Sequence, residues 1–184
     1  MFELERFIDD CKRARTEDET HKAMREVVAR AVSEPNAIIA ALGEPQEAGF
    51  QTLYNSDELT ILNFTWAPLM TLMPHNHNMW AVIGIYTGRE DNIFWRKSKD
   101  GNSIEAAGAK SLMPGSASAL GHDIVHSVTN PIEKMTSAIH VYGGDFFAPG
   151  RSEWDPETLQ ERPFDVEKSR RIFKQASAHF AAAK

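Results

Sequence analysis

Apolar residues in the first part of the chain recur three and four positions apart. Phe2, Leu4, Phe7, Ile8 and Cys11 form one such series, and Met24, Val27, Val28 and Ala31 form another. That period puts apolar side chains on one stripe of a helix. Thr16 or Thr20 offers a cap for the second helix, and Pro35 is expected to end it. A short third helix is predicted over 37–42, stopped by Gly43 and Pro45. From Gly49 to Tyr142 the pattern changes to short β-rich runs at 59–66, 80–86, 93–96, 124–128 and 136–142. Turn signals such as Thr87-Gly88, Lys99-Asp100-Gly101-Asn102 and Met113-Pro114-Gly115 separate them. Many short strands predict a double-sheet jelly roll or small barrel. After a Gly/Pro-rich stretch at 143–156, Ile172, Phe173, Ala176 and Phe180 predict a helix from Asp165 onward. The expected organisation is one mainly β domain, with a helical segment at 1–45, a barrel at 46–148, and a loop and helix at 149–184.

A chain of 184 residues with 42% hydrophobic content can bury a sizeable core. Its formal net charge of −6, with no basic run, argues against a nucleic-acid or membrane-surface partner. The lone cysteine, Cys11, forms no internal disulfide, which suits a reducing compartment. Met1-Phe2-Glu3-Leu4-Glu5-Arg6 is acidic where a secretory leader would be basic, and no apolar run approaches the roughly 18 residues a span needs. A cytoplasmic protein is expected. The charged runs Glu17–Glu19 and Lys168–Arg171 read as solvated helix faces.

The chemistry lies in the histidines. His75-Asn76-His77 places two imidazoles on one side of an extended strand. A third from a distant strand would complete three facial ligands with open metal positions. His126, about fifty residues on, is a candidate. His122 is its rival on the same strand face, although it follows Gly121 in what reads as a loop. Asp123 reads as a turn aspartate, the other reading being an acceptor that orients an imidazole. Trp80 and Tyr86 read as barrel packing, Leu62, Phe64 and Trp66 as core, and His21 and His179 as surface.

Pro74-His75-Asn76-His77, followed by Trp80 to Gly88, resembles the first cupin motif, in which His-x-His precedes a glutamate and a hairpin glycine. Gly88 fills the glycine position, but the glutamate position holds Ala81. His126 and Asn130 match the His-x-x-x-Asn of the second motif, with Pro114-Gly115 and Gly121 upstream. The resemblance implies a cupin double-stranded β-helix with His75, His77 and His126 as metal ligands. Without the carboxylate, and with His140 and Tyr142 in Ser137-Ala138-Ile139-His140-Val141-Tyr142, it looks like the thiol dioxygenase branch. That branch includes cysteine dioxygenase and 3-mercaptopropionate dioxygenase.

The branch implies an Fe(II) cofactor, and a small thiol and O2 as substrates, giving a sulfinate. It also implies a relay in which His140 orients Tyr142 as a hydrogen-bond donor. The serine that precedes this relay in the family is replaced by Ala138. Ser137 either points away or is rotated back by a bulge. No cysteine is placed for a cross-link to Tyr142, and Tyr54-Asn55-Ser56-Asp57 carries no arginine for a substrate carboxylate. Arg151, downstream of Tyr142, is the candidate anchor as in 3-mercaptopropionate dioxygenases. Two alternatives stay open: a three-histidine dioxygenase acting on a carbon substrate such as a β-diketone, and a cupin that only binds a small molecule. A sugar-phosphate isomerase is disfavoured, since those cupins tend to keep the carboxylate. Exposed sheet edges leave a homodimer open.

Overall fold

The computed structural model describes residues 1–17 and 21–182. The expected cap Thr20, and Asp18 and Glu19 of the expected charged face, lie outside the described residues. Three helices come first: α1 (Leu4–Ala14), α2 (Lys22–Val32) and α3 (Pro35–Leu42). Nine strands follow: β1 (Gly49–Asn55), β2 (Thr60–Trp66), β3 (Thr71–Asn76), β4 (Ala81–Thr87), β5 (Glu90–Lys97), β6 (Ile104–Leu112), β7 (Ala117–Leu120), β8 (Val125–Thr129) and β9 (Thr136–Tyr142). Two short strands, β10 (Ser152–Trp154) and β11 (Glu161–Pro163), precede the helix α4 (Val166–Ala182).

All the strand pairs are antiparallel. One sheet has the order β1-β2-β9-β4-β7, and the other β11-β10-β3-β8-β5-β6. From β2 to β5, and again from β6 to β9, each successive strand crosses to the opposite sheet. This winding is the double-stranded β-helix, a mainly β fold flanked by helices at both ends of the chain.

Alternation sorts the core into two layers. Leu62, Phe64 and Trp66 of β2 and Ala81, Ile83 and Ile85 of β4 point between the sheets. Ile61, Val82, Tyr86, Ile139 and Val141 point outward, under Phe7, Met24, Val28 and Ile38 of the N-terminal helices. Strands β4 and β9 are therefore covered on both faces, and both read as nearly continuous apolar runs. Gly84 lets α2 approach, since a Cβ there would lie 2.9 Å from a Val32 methyl.

Several expectations change. Pro35 does not end α2 but opens α3, where a missing N–H costs nothing. The Thr16 hydroxyl donates to the Arg13 carbonyl (2.9 Å) instead of capping α2, which His21 precedes in a left-handed conformation (φ 58°). Trp80 and Tyr86 pack under the helices and not inside the barrel, and His21 stacks on Trp80 at 4.5 Å. β5 begins at Glu90, before the apolar run that suggested it. β10 and β11 occupy a segment that reads as loop. No described helix is long and apolar enough to cross a membrane.

Gly88 turns β4 into β5 at φ +73°, and a Cβ there would come within 2.8 Å of the Thr136 Cα. Gly101 has nearly the same φ (+74°) but open surroundings. Gly88→Ala should cost about 2–4 kcal/mol and Gly101→Ala about 1 kcal/mol. Urea midpoints of the two variants check this, and equal losses would refute the steric part.

Candidate metal centre

Antiparallel pairing of β3 with β8 sets His75 directly opposite His126, past an irregularity between Leu72 and His75. His77 stands just beyond the end of β3, where Asn78 turns the chain at φ 53°. All three imidazoles are buried, and one ligand atom from each falls within 4.8 Å of the others. The His75 Nδ1–H donates to the Met73 carbonyl (2.9 Å), and the His126 Nδ1–H donates to Asn92 Oδ1 (2.7 Å). Each bond fixes a tautomer that leaves an Nε2 lone pair for the centre. His126 Nε2 and His77 Nε2 are 3.3 Å apart. Metal–nitrogen bonds of about 2.0–2.1 Å at a tetrahedral angle span close to that edge. The residues fit a divalent ion.

Burial pushes the His75 pKa down to about 4. His77 and His126 lie well below the usual imidazole value, mainly through burial and then through their neighbouring imidazoles. The cluster is thus held in the neutral form that binds metal. It contains no carboxylate: the inward methyl of Ala81 sits opposite Tyr142 in the β4–β9 register. The chain between His77 and Ala81 is no continuous strand, because it crosses from one sheet to the other. His122 lies apart on the surface, its Nδ1 2.7 Å from Asp123. Asn92, not Asp123, orients an imidazole of the cluster.

His140 Nδ1 lies 2.9 Å from the Tyr142 hydroxyl, and both side chains are buried. Ser137 faces the other way and bonds Thr65 (3.1 Å). Behind His140 lies Glu90, fully buried, which sequence reading missed. Its Oε1 accepts from the Asn92 amide (2.9 Å), and its Oε2 faces His140 Nε2 at 3.6 Å. That 3.6 Å approach is longer than a hydrogen bond, so the His140 ring is hydrogen-bonded on its Tyr142 side and only faces the carboxylate on the other. One polar chain runs from His126 through Asn92 and Glu90 to His140 and Tyr142. Its signal in the sequence was Glu90-x-Asn92-x-Phe94, polar residues alternating onto an inward strand face.

Arg151 joins the same site. Asn76 Oδ1 accepts from the Ser152 N–H (2.7 Å), and the Asn78 amide donates to the Gly150 carbonyl (2.7 Å). Glu153 of β10 pairs with His75. These bonds strap 150–153 across the metal strand. The Arg151 guanidinium lies 4.2 Å from the Phe146 ring centre and 4.5 Å from that of Phe164. Glu153 does not neutralise it, because that carboxylate takes Arg162 (3.0 Å), Lys168 (2.7 Å) and the Asp165 N–H (3.2 Å). Burial lowers the Arg151 pKa. The three histidines, His140, Tyr142 and Arg151 all line one cavity of about 210 Å³, which Phe64 and Trp66 also line in addition to their place in the core.

No family model matches the sequence. Solved structures similar to the chain include an RmlC-like cupin family protein with a double-stranded β-helix fold from Methanocaldococcus jannaschii. It is 11% identical at a TM-score of 0.47, over 56% of this chain and 85% of that one. A cupin superfamily protein from Desulfitobacterium hafniense is 16% identical at 0.46, over 58% and 88%. The DMSP lyase DddQ from Ruegeria pomeroyi is 16% identical at 0.47, over 60% of this chain and 53% of that one.

Asn92→Leu, close in shape but without the acceptor, should weaken metal affinity about 10–100-fold by chelator competition. Unchanged affinity would show that His126 needs no orienting partner. The depressed histidine pKa values also set a pH dependence. Between about pH 4 and 6.5 the unfolded chain binds more protons, so metal-free stability is full above about 6.5 and falls as the pH drops toward 4. His75 alone accounts for about 3 kcal/mol of that loss, readable in urea melts across the window.

Proposed function

We propose that the protein is a non-haem iron(II) thiol dioxygenase acting on a small thiol acid, of the 3-mercaptopropionate or cysteine type. The observation that carries this reading is a carboxylate-free three-histidine cluster in one cavity with Arg151 and the Tyr142–His140 pair. His75, His77 and His126 would hold the ion. When bound, Fe(II) supplies redox chemistry and a positive charge that favours thiolate over thiol.

The chain's own groups do the rest. Arg151 takes the substrate carboxylate, and its sandwich between two rings limits how far the anchored acid swings. The Tyr142 oxygen accepts the thiol proton as the tyrosine's own proton passes to His140 Nδ1. Glu90 then faces the resulting imidazolium from behind. Over the whole reaction both atoms of O2 end on sulfur, so thiol plus O2 gives the sulfinic acid. The aromatic walls keep bulk water from the reacting sulfur. Cys11 takes no part: it is buried under the helices, and burial pushes its thiol pKa up.

Oxygen uptake by the iron-loaded protein should be seen with 3-mercaptopropionate or cysteine, with sulfinate formed in equal amount. His126→Ala should drop bound iron well below one per chain and abolish uptake. Uptake with acetylacetone alone would move the assignment to a carbon-substrate dioxygenase. Tight ligand binding without any uptake would make the protein a binding module.

A further inference from the structure

Five buried side-chain polar atoms have no hydrogen-bond partner among the described residues: Trp66 Nε1, Glu90 Oε2, His140 Nε2, Arg151 Nη1 and Ser169 Oγ. Native interiors leave few such groups. Glu90 and His140 face each other, as described. The other three belong to residues that line the cavity of the metal centre. Trp66 and Arg151 can only donate, so the partner they lack is an acceptor, and beside a half-buried guanidinium an anionic one.

The space around these groups is aromatic. Phe64, Phe146, Phe164 and Phe173 line it. Phe64 lies 6.3 Å from Phe146 and 6.2 Å from Phe173, and the Arg151 guanidinium lies over both Phe146 and Phe164. Phe50 and Phe147 also line the cavity and stay partly exposed, 38% and 45%, a half-wetted apolar rim. A cavity of about 210 Å³ has room for roughly a dozen water-sized groups at about 15 Å³ each. A three-carbon thiol acid has far fewer non-hydrogen atoms and would leave the phenylalanine walls without contact.

We propose that the acid this site takes carries an aromatic or comparably bulky apolar group, its carboxylate on Arg151 and its ring among Phe64, Phe146, Phe164 and Phe173. This rests on the cavity being the substrate pocket proposed above, but not on the thiol chemistry. A short acid such as cysteine or 3-mercaptopropionate reaches Arg151 but leaves these walls uncontacted, so it should bind more weakly than an aromatic acid, and an aromatic amine has the wrong charge for Arg151.

Titration calorimetry on the purified full chain, with propionate, 3-phenylpropionate and 3-phenylpropanol as probes, separates the two halves of the claim. 3-Phenylpropionate should bind about tenfold or more tighter than propionate, which reports the ring, and than 3-phenylpropanol, which reports the charge. Arg151→Met should remove the preference for acid over alcohol and leave the alcohol's affinity unchanged, which also distinguishes anchoring on Arg151 from binding to a metal. If that variant fails to fold, the comparison of acid with alcohol on the native protein still decides. Equal binding of propionate and 3-phenylpropionate, or of acid and alcohol, would overturn the proposal. Because no oxygen is consumed, its failure is distinct from that of the thiol reading. 3-Mercaptopropionate turnover without any gain from the ring removes only the substrate class, and ring-dependent acid binding without thiol turnover removes only the thiol chemistry.

Discussion

The antiparallel register between β3 and β8 brings His75 face to face with His126, and with Glu153 and Phe94 it forms one row across the six-stranded sheet. Side chains alternate strictly along a strand, so a slip of one residue would send His126 to the outer face and dissolve the cluster. Sheet pairing thus sets the distance between two imidazoles, and His77, one residue past the end of β3, supplies the third. The barrel then buries all three. That burial keeps the rings neutral, and neutrality is what a metal ligand needs.

The residues between and after the imidazoles have a separate task. Asn76 and Asn78 spend their amides on the backbone of 150–152, and β10 adds a strand next to His75, with β11 outside it. The metal strand is therefore also the strap that fixes Arg151. Glu153 could have cancelled that arginine, but Lys168 and Arg162 claim its carboxylate and tie the start of α4 to the same edge. The outcome is a guanidinium with no ion pair among the described residues, set against the rings of an aromatic cavity. In water such a charge is cheap; there it is costly unless an anion arrives.

A buried polar chain links the metal side to the cavity side. Asn92 serves His126 and is itself held by Glu90, whose second oxygen faces His140. Strand β5 thus brings a carboxylate up to the His140 ring of β9. At the cavity end, His140 and Tyr142 share a buried hydrogen bond.

Much of this was legible in the residues. Helical spacing marked α1, α2 and α4, and Gly88 marked the turn between β4 and β5. The His-x-His pair, together with His126, His140, Tyr142 and Arg151, named the cluster and its surroundings. What escaped had a common cause. Glu90 and Asn92 sit in a polar run that reads as turn, and β10 and β11 lie in a stretch rich in Gly and Pro. Such segments become strands only because a neighbouring edge supplies their hydrogen bonds, and that edge lies far away in sequence. Local period depends on the chain's own geometry, so the sequence alone determined which residues share a face. Which faces meet, that Asn92 reaches His126 and Glu90 faces His140, and that Arg151 meets two rings and no carboxylate among the described residues, depended on non-local pairing. Only the tertiary structure decided those points.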